Sequence, residues 1–324
     1  MHATAIAHPN VALIKYWGKR DRHANLPAVG SLSLTLSGLE TRTTISLDSN
    51  STQDRLVLNG QPDSNAAARA GRCLDLLRER AGIEAGASVE STNNFPTGAG
   101  LASSASGFAA LVKAGAAALS IDSDADSLAG IARIGSGSAP RSLYEGIVVL
   151  ENRESGDGES VHCTTVSAPD NWPLAVIVAI TSPAAKEIGS TEGMELSRRT
   201  SPYYQAWLDT HQADLDAALG AVRERDFDTL ASLSERSCLK MHAVAMTSQT
   251  PLFYWSAVTV ACMHRVWELR HSGKPVFFTI DAGPQVKAVC LPEVAAEVKA
   301  ALGEVQGVQE VIECGLGQGA WVEP

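Results

Sequence analysis

The sequence feature that most constrains the fold is a glycine- and serine-rich loop that runs directly into an apolar, alanine-rich tract. The loop covers residues 94–107, NFPTGAGLASSASG, and the tract begins at residue 108. Glycines let backbone N–H groups turn inward, and a helix start adds unpaired N–H groups and a partial positive charge. The sequence therefore predicts a phosphate site at a helix start, unless the glycines only form a turn. Ser103, Ser104 and Ser106 are predicted either to cap this helix or to contact phosphate or phosphate-bound Mg²⁺.

The pattern of this loop excludes one nucleotide-binding loop and weakens the case for another. The chain contains no G-x-x-x-x-G-K-[ST] motif, so the loop is not a Walker loop. Gly98 and Gly100 begin a G-x-G pattern, but position 103 is serine where a dinucleotide fingerprint has its third glycine. The loop also lies far into the chain, whereas a dinucleotide-binding domain more often begins with it.

The length and charge of the chain restrict its organisation and its partners. A chain of 324 residues is long enough for two modest domains that share a cleft, or for one large α/β domain. Its net charge of −10 argues against nucleic-acid binding, because binding a phosphate backbone requires a clustered basic face. A small anion remains possible, since a few lysines in one pocket can oppose the global charge.

Cysteine spacing and hydropathy bear on the compartment. The six cysteines are scattered without C-x-x-C or Cys/His ligand spacing, and are predicted to be buried thiols. The first ten residues, MHATAIAHPN, show no basic segment followed by an apolar core, so no signal peptide is visible. No apolar run approaches the about 20 residues that cross a bilayer. We therefore expect a cytoplasmic protein without a membrane partner.

The first half of the chain is predicted to be rich in strands. Residues 31–37 alternate leucine with Ser or Thr, which predicts a half-buried strand, and residues 41–47 are expected to pair with it. An amphipathic helix over 66–80 is expected to stop at Gly82. Residues 147–151 and 161–166 are predicted to form a hairpin.

The second half is predicted to be richer in helix. We place the domain boundary near Ser182 and Pro183, which gives an ATP-binding domain of residues 1–182 and a second domain of residues 183–324. Long periodic runs are predicted helices, the third of them with Thr250 and Pro251 at its start. The helical runs cover residues 209–223, 227–245 and 251–271, and a strand, strand, helix, strand order follows over 276–280, 286–291, 293–302 and 308–313.

A cationic patch lies early in the chain, at residues 15–20. Lys15, Tyr16 and Lys19 place two positive charges and a hydroxyl beside a glycine, which suits a diphosphate. A solvated basic strand end is the alternative.

Two later segments carry an isolated charge each. Residues 136–142, SGSAPRS, form a small-residue loop in which Arg141 is suited to a bidentate contact with a carboxylate or phosphate, or is an exposed arginine on a surface turn. Asp281 ends an apolar strand and precedes a Gly-Pro turn. A carboxylate in that position is suited to act as a general base held in a cleft, or caps the corner as an Asx turn.

Taken together, these motifs resemble the GHMP small-molecule kinase superfamily and, within it, the mevalonate diphosphate decarboxylases. The KYWGK and SGS-x-x-R signatures belong to the decarboxylase branch, and the segments follow the family order over nearly the whole chain. The matching segments are Asn10 with 14–19, 25–27, 93–97, 100–105, 135–138 with Arg141 and Ser142, Ser190–Thr191 with Gly193–Met194, and 281–284.

The resemblance implies a fold and a reaction. The expected fold is α+β or α/β with two domains, GHMP kinase-like, with the active site in the cleft between the N- and C-terminal domains, and such proteins are commonly homodimers. The implied reaction uses ATP and Mg²⁺ to phosphorylate the tertiary 3-hydroxyl of mevalonate 5-diphosphate. Loss of phosphate and CO₂ then leaves isopentenyl diphosphate.

The resemblance also implies roles for individual residues. Asp281 would orient or deprotonate the hydroxyl, Arg141 would hold the substrate carboxylate, and Lys15 would keep Asp281 ionised. Ser104 is the serine expected to contact phosphate or Mg²⁺. The implied substrate-binding residues are Asn10, Tyr16, Lys19, Ser136, Ser138, Arg141 and Ser190, and the implied ATP-binding residues are Pro96, Gly98, Ala99, Gly100, Leu101, Ala102, Ser103, Ser104 and Ser106.

Three rival functions stay open at this point. The chain could stop at the 3-phosphate as a kinase, or it could act on mevalonate 5-phosphate. It could also be a non-catalytic sensor of a nucleotide or metabolite. Asp281 together with Arg141 favours carbon–carbon cleavage, and Lys19 favours the diphosphate. The presence of both the acid and the phosphate loop argues against the sensor.

Overall fold

The computed structural model describes residues 1–96, 100–122, 124–152, 162–182 and 188–324, and in these ranges the chain forms sixteen strands and eight α-helices. The strands are β1 His2–Ala7, β2 Asn10–Ile14, β3 Lys19–Asp21, β4 Leu26–Pro27, β5 Ser31–Thr35, β6 Thr41–Asp48, β7 Arg55–Leu58, β8 Gln61–Pro62, β9 Gly86–Asn93, β10 Ile147–Glu151, β11 His162–Ser167, β12 Ala175–Ile180, β13 Val276–Ile280, β14 Val286–Cys290, β15 Glu310–Cys314 and β16 Trp321–Val322. The helices are α1 Ser64–Ala81, α2 Ser103–Ala118, α3 Ala125–Gly135, α4 Ser190–Thr200, α5 Tyr204–Glu224, α6 Phe227–Met246, α7 Ala257–His271 and α8 Ala295–Gly303, with short 3-10 turns at Ala139–Leu143 and Pro292–Val294.

The strands assemble into three larger sheets and a two-stranded ribbon. A six-stranded sheet has the order β16-β1-β6-β9-β7-β8, and two four-stranded sheets have the orders β11-β10-β5-β2 and β13-β14-β12-β15. The ribbon is β3-β4. Helix α2 packs on β1 and β6 of the six-stranded sheet, and α1 and α3 pack beside it. One face of α1 points to the core that these helices share, and its buried residues recur at helical spacing: Ala70, Cys73, Leu74 and Leu77.

The second and third sheets share one apolar core. Along β12, Val176, Val178 and Ile180 pack with leucines of β5 and with residues of α5 and α6. The intervening residues Ala175, Ile177 and Ala179 face a separate core beneath α7 and α8. A strand buried on both faces reads as a continuous apolar run, which explains the sequence of β12.

The pairing of β12 bears on the domain division. Strand β12 lies before the predicted boundary at Ser182, yet it is hydrogen-bonded to β14 and β15 of the third sheet. Sheet membership therefore places residues 175–180 with the second half of the chain. Pro183 lies outside the described residues.

The predicted pairing of residues 31–37 with residues 41–47 is wrong. Strand β5 lies between β2 and β10, whereas β6 pairs with β1 and β9 in the other sheet. The reason is that β5 is buried on both faces instead of one. Its leucines enter the shared core, and its Ser31 and Ser33 hydroxyls contact Arg141, so β5 is a central strand with both edges already paired.

Helix boundaries follow the predictions closely except at α5, which begins at Tyr204 instead of at residue 209, and at α7. Helix α1 stops at Gly82, whose φ of 65° is left-handed as predicted. Helix α7 starts six residues later than Pro251, because Ser256 caps it in a reciprocal pair with Thr259. Leu252 is buried instead in the cluster around Trp17, which keeps residues 251–256 out of the helix.

Candidate active site

A cleft of about 850 Å³ lies between the first and second halves of the chain. Its walls combine the end of β2, the start of α2, the loop after α3, the start of α4 and the end of β13. The sequence-predicted site residues that line it are Asn10, Lys15, Tyr16, Lys19, Gly100, Ala102, Ser103, Ser104, Ser136, Ser138, Arg141, Ser190 and Asp281. Gly98 and Ala99 lie outside the described residues. Segments from opposite ends of the sequence thus meet in one pocket.

Three of the predicted ATP-binding residues do not line this cleft. Leu101 is buried in the shared core, and Pro96 is also absent from the cleft walls. Ser106 is fully buried, and its hydroxyl lies 2.6 Å from that of Thr41. The Ser106 hydroxyl also donates to the carbonyl of Ser103 at 3.3 Å. Ser106 therefore ties α2 to β6, and the prediction that it contacts phosphate is wrong for this structure.

The central carboxylate of the cleft is Asp281, which follows β13. The Lys15 Nζ lies 2.6 Å from its Oδ1 and also donates to the Ala12 carbonyl at 2.7 Å. Burial by itself raises the pKa of Asp281, but Lys15 and then Lys287 outweigh it and lower the pKa to about 2. Asp281 is therefore ionised at neutral pH. The predicted proximity of Lys15 to Asp281 is present, with the lysine 1% exposed and the carboxylate 25% exposed.

Sequence reasoning missed the second lysine of this group. Lys287 lies on β14, opposite Thr279 of β13, and is buried. Its Nζ lies 3.4 Å from the other carboxylate oxygen of Asp281 and donates to the Gly100 carbonyl at 2.7 Å. The available signal was a single lysine inside the apolar run of β14, VKAVC, where a charge requires a buried partner.

Arg141 lies deep in the cleft, 2% exposed, instead of on a surface turn. One terminal nitrogen donates to the hydroxyls of Ser31 and Ser33 at 2.7 and 3.1 Å, and the guanidinium lies 5.6 Å from the Tyr16 ring centre. Within the described ranges, neither the Arg141 Nε nor the Tyr16 hydroxyl has a hydrogen-bond partner. Since buried polar groups normally pair, these two atoms indicate a polar ligand.

Helix α2 starts at a residue whose side chain cannot cap it. Its N-cap is Ala102, which is left-handed with a φ of 54° and makes no side-chain capping bond. None of the three serines is therefore the N-cap residue of α2. The Ser104 hydroxyl lies 3.3 Å from that of Ser136, which in turn lies 3.1 Å from that of Ser138. A line of hydroxyls thus runs from the start of α2 toward the loop of Arg141, and a helix start with its orphan N–H groups suits a phosphate.

The remaining predicted side chains surround the mouth and floor of the cleft. The Asn10 amide donates to the Ser138 carbonyl and the Ser142 hydroxyl at 3.1 and 2.8 Å, so it holds the Arg141 loop in place. The Lys19 Nζ lies 3.2 Å from the Thr191 hydroxyl, near the start of α4. Ser190 is the first residue of α4, whose N-cap is Gly189.

Sequence reasoning missed further cationic groups, two of which lie on a helix whose arginines look solvent-facing in sequence. Arg69 and Arg72 of α1 line the cleft, together with Arg22. The Arg69 guanidinium lies 5.0 Å from the Phe108 ring centre. Although the chain carries a net charge of −10, its cleft is therefore cationic, which matches an anionic ligand.

Metal clusters and membrane-spanning helices are both absent from the described part of the chain. Across the described ranges, no three His, Cys, Asp or Glu side chains come together as a metal site. Among the helices in the described part of the chain, none is long and apolar enough to cross a membrane.

Comparisons with known proteins show the family of this chain. Residues 7–162 match the family model of the diphosphomevalonate decarboxylase-like N-terminal domain, and residues 176–318 match that of the mevalonate 5-diphosphate decarboxylase C-terminal domain. The diphosphomevalonate decarboxylase of Homo sapiens is 37% identical over 319 residues, covering 92% of this chain and 79% of the human protein. That of Candida albicans is 36% identical, covering 88% of this chain and 83% of its own length.

Solved structures give the same result. Mevalonate diphosphate decarboxylase from Staphylococcus aureus has a TM-score of 0.93 and 36% identity, covering 100% of this chain and 98% of its own. A structure of MDDEF in complex with MVAPP, AMPPCP and magnesium has a TM-score of 0.91 and 35% identity, covering 100% and 99%. The fold and the cleft thus define a two-domain GHMP kinase-like protein with mixed α and β structure. Within that class, the chain belongs to the diphosphomevalonate decarboxylase family.

Proposed function

We propose that this protein catalyses the ATP-dependent decarboxylation of mevalonate 5-diphosphate to isopentenyl diphosphate, releasing ADP, phosphate and CO₂ by way of 3-phosphorylation. The observation that carries the proposal is the meeting of three groups in one cleft. These are the ionised Asp281, the buried Arg141 and the start of α2. Related proteins named diphosphomevalonate decarboxylase, and the MDDEF complex with MVAPP, AMPPCP and magnesium, support the substrate and the cofactors.

The reaction needs a carboxylate because a tertiary alcohol is a poor nucleophile. In the proposed reaction, Asp281 accepts a hydrogen bond from the 3-hydroxyl and directs the oxygen at the γ-phosphoryl group. With a pKa of about 2, the carboxylate takes up the proton only as the new O–P bond makes that hydroxyl acidic. Lys15 keeps Asp281 ionised and in one orientation.

Phosphorylation is required because hydroxide is a poor leaving group. When phosphate departs, positive charge develops at C3. The bond between C2 and the carboxylate carbon then breaks, and its electron pair forms the C2=C3 double bond as CO₂ leaves. In our proposal Arg141 holds that carboxylate through its Nε edge while its terminal nitrogen stays on Ser31 and Ser33. The Tyr16 hydroxyl, which the described part of the chain leaves without a partner, faces the same ligand.

Binding roles for the other cleft residues are part of the same proposal. ATP and Mg²⁺ supply the transferable phosphoryl group and the neutralising charge. The helix start at Ala102, with Ser103 and Ser104, receives the ATP phosphates, and Ser104 is the serine proposed to contact phosphate or Mg²⁺. The residues proposed to bind the substrate are Asn10, Tyr16, Lys19, Ser136, Ser138, Arg141 and Ser190.

The charge of Lys19 leads to an expected pH dependence. Burial, with the nearby charges of Arg22 and Arg69, lowers the pKa of Lys19 to about 8. Its cation is therefore present below that pH and lost above it. We expect kcat/KM for mevalonate 5-diphosphate to fall as the pH rises through about 8. In Lys19→Met, kcat/KM should be about tenfold lower and should lose this basic limb, while Lys274→Met keeps it. A basic limb that persists unchanged in Lys19→Met would contradict the assignment.

A substrate panel tests the function as a whole. Purified protein is given Mg·ATP with mevalonate, its 5-phosphate or its 5-diphosphate, and both ADP and CO₂ are measured. We expect equal release of ADP and CO₂ from the 5-diphosphate alone. ADP without CO₂ would indicate a 3-kinase, and equal release from the 5-phosphate would indicate a monophosphate decarboxylase. Binding without either product would indicate a sensor.

Domain division, assembly and compartment complete the proposal. We propose that the N-terminal ATP-binding domain and the C-terminal domain divide between β11 and β12, and not at residue 182. Two observations support this boundary: β12 pairs with β14 and β15, and the family matches end at residue 162 and resume at residue 176. The six cysteines are all unpaired, which fits a reducing, cytoplasmic compartment. A homodimer is proposed on the family resemblance.

A further inference from the structure

Lys287 is a deeply buried charge beside the cleft that the proposed reaction leaves without a function. Its side chain is 2% exposed, so its ammonium group has given up nearly all contact with water. Burying a charge is unfavourable unless the group is paired, and an apolar residue in the middle of β14 would avoid that penalty. A buried lysine at this position therefore points to a function beyond packing.

Neutralising Asp281 does not require Lys287. Lys15 already lies 2.6 Å from the Asp281 Oδ1, whereas Lys287 lies 3.4 Å from the Oδ2. One lysine balances one carboxylate, so the second leaves this buried group with one excess positive charge. The shorter contact of Lys287 is the one to the Gly100 carbonyl, at 2.7 Å. That carbonyl belongs to the loop that leads into α2.

The contact with Gly100 fixes a peptide plane. The C=O and N–H of a trans peptide point in opposite directions, so a carbonyl held on Lys287 also fixes the direction of the next N–H. Gly100 itself has a φ of 83°, and a Cβ built there would lie 3.0 Å from the Gly283 Cα. The end of the loop therefore packs directly on the Asp281–Gly283 corner, where no side chain fits between them.

We propose that Lys287 is a positioning residue that joins the nucleotide loop to the Asp281 carboxylate. Its ammonium group spans the two, so the peptide at Gly100 and the carboxylate keep one relative position. In the proposed reaction, the γ-phosphoryl group and the 3-hydroxyl must meet in line, and the loop places the first while Asp281 places the second. Lys287 itself touches neither reactant, because it does not line the cleft. The inference rests on the proposed function for the identity of the reactants.

The test uses Lys287→Met, with Lys299→Met as the matched control. Lys299 is 45% exposed and pairs with Glu313 on the surface. Lys287→Met leaves the neutral Lys15–Asp281 pair, so the fold should persist, which thermal unfolding checks. We expect kcat to fall about 100-fold, because misplacement by about 1 Å carries a penalty of that order. KM for mevalonate 5-diphosphate should stay within about twofold. The Kd of Mg·AMPPCP, measured by calorimetry without turnover, should rise about fivefold, the loss expected for one hydrogen bond.

The outcomes separate a positioning function from a packing function. A lysine that only fills space would leave kcat per folded molecule and the Kd of Mg·AMPPCP at their wild-type values, and that result would overturn the inference. If Lys287→Met does not fold, the double variant with Asp281→Asn restores the wild-type charge of the group and is compared with Asp281→Asn alone. A Kd for Mg·AMPPCP that is the same in both would also overturn it.

The binding measurement also distinguishes this inference from the proposed function. Wild-type protein that releases no CO₂ from any substrate in the panel would remove the proposed function. In that case, a higher Kd for Mg·AMPPCP in Lys287→Met would still support the contact between the lysine and the loop.

Discussion

Replacing Asp281 with asparagine is expected to lower the release of both ADP and CO₂ by about 10³-fold. Asparagine keeps the shape of the side chain but removes the charge that accepts the hydroxyl proton. The release of both products should fall together, because phosphorylation precedes carbon–carbon cleavage in the proposed reaction. The measurement is a steady-state assay of ADP and CO₂ with saturating Mg·ATP and mevalonate 5-diphosphate.

The activity of Asp281→Asn is compared with its stability and with the activity of a control variant. Asp281→Asn leaves Lys15 and Lys287 buried without a counter-charge, so we expect the free energy of unfolding to fall by about 3 kcal/mol. The assay is therefore run at a temperature at which the variant is folded. Asp209→Asn, on the exposed face of α5, should retain full activity. Normal turnover by Asp281→Asn would remove Asp281 from its catalytic function.

Replacing Arg141 with lysine has the second largest expected effect. Lysine keeps a positive charge but lacks the planar fork that binds a carboxylate through two parallel hydrogen bonds. It also leaves the Ser31 and Ser33 hydroxyls without their donor. We expect CO₂ release to fall about 10²-fold. In a rapid-quench experiment, ADP should appear before CO₂, since the misplaced carboxylate slows cleavage more than phosphorylation.

The control for this prediction is Arg265→Lys. Arg265 lies on α7, away from the cleft, where it pairs with Glu268 and Glu304. Its replacement should leave both products unchanged and released together. If Arg141→Lys instead slows ADP and CO₂ equally, Arg141 acts in the phosphorylation step, and its proposed contact with the substrate carboxylate is incorrect.

The sequence predicted the ends of helices and strands where residues that are adjacent in the chain determine the local structure. Gly82 ends α1 because a left-handed residue is needed there, and glycine takes that conformation readily. Asp281 lies at the end of β13 for a similar reason, since the apolar run and the Gly-Pro turn mark the strand end. The loop sequences alone did not show that these segments meet, and the family resemblance supplied that expectation.

The missed features depend on contacts between distant residues. The alternation in β5 indicated one solvent face, but that face receives Arg141, which lies more than one hundred positions along the chain. Lys287 was not singled out within its strand, because its partners, Asp281 and the Gly100 carbonyl, lie on other segments of the chain. The sequence gives Ser106 the same predicted contacts as Ser103 and Ser104, but its hydroxyl is bonded to that of Thr41. In each case the deciding partner belongs to another element.

The apolar core that the second and third sheets share restricts how reactants can reach the cleft. Val176, Val178 and Phe277 pack there against Leu32 and Leu34, so a hinge motion that separated the sheets would expose these side chains to water. Each Å² of apolar surface exposed in this way is unfavourable by about 25 cal/mol. The base of the cleft therefore behaves as a rigid platform, and exchange of ATP, ADP and product must proceed over its rim.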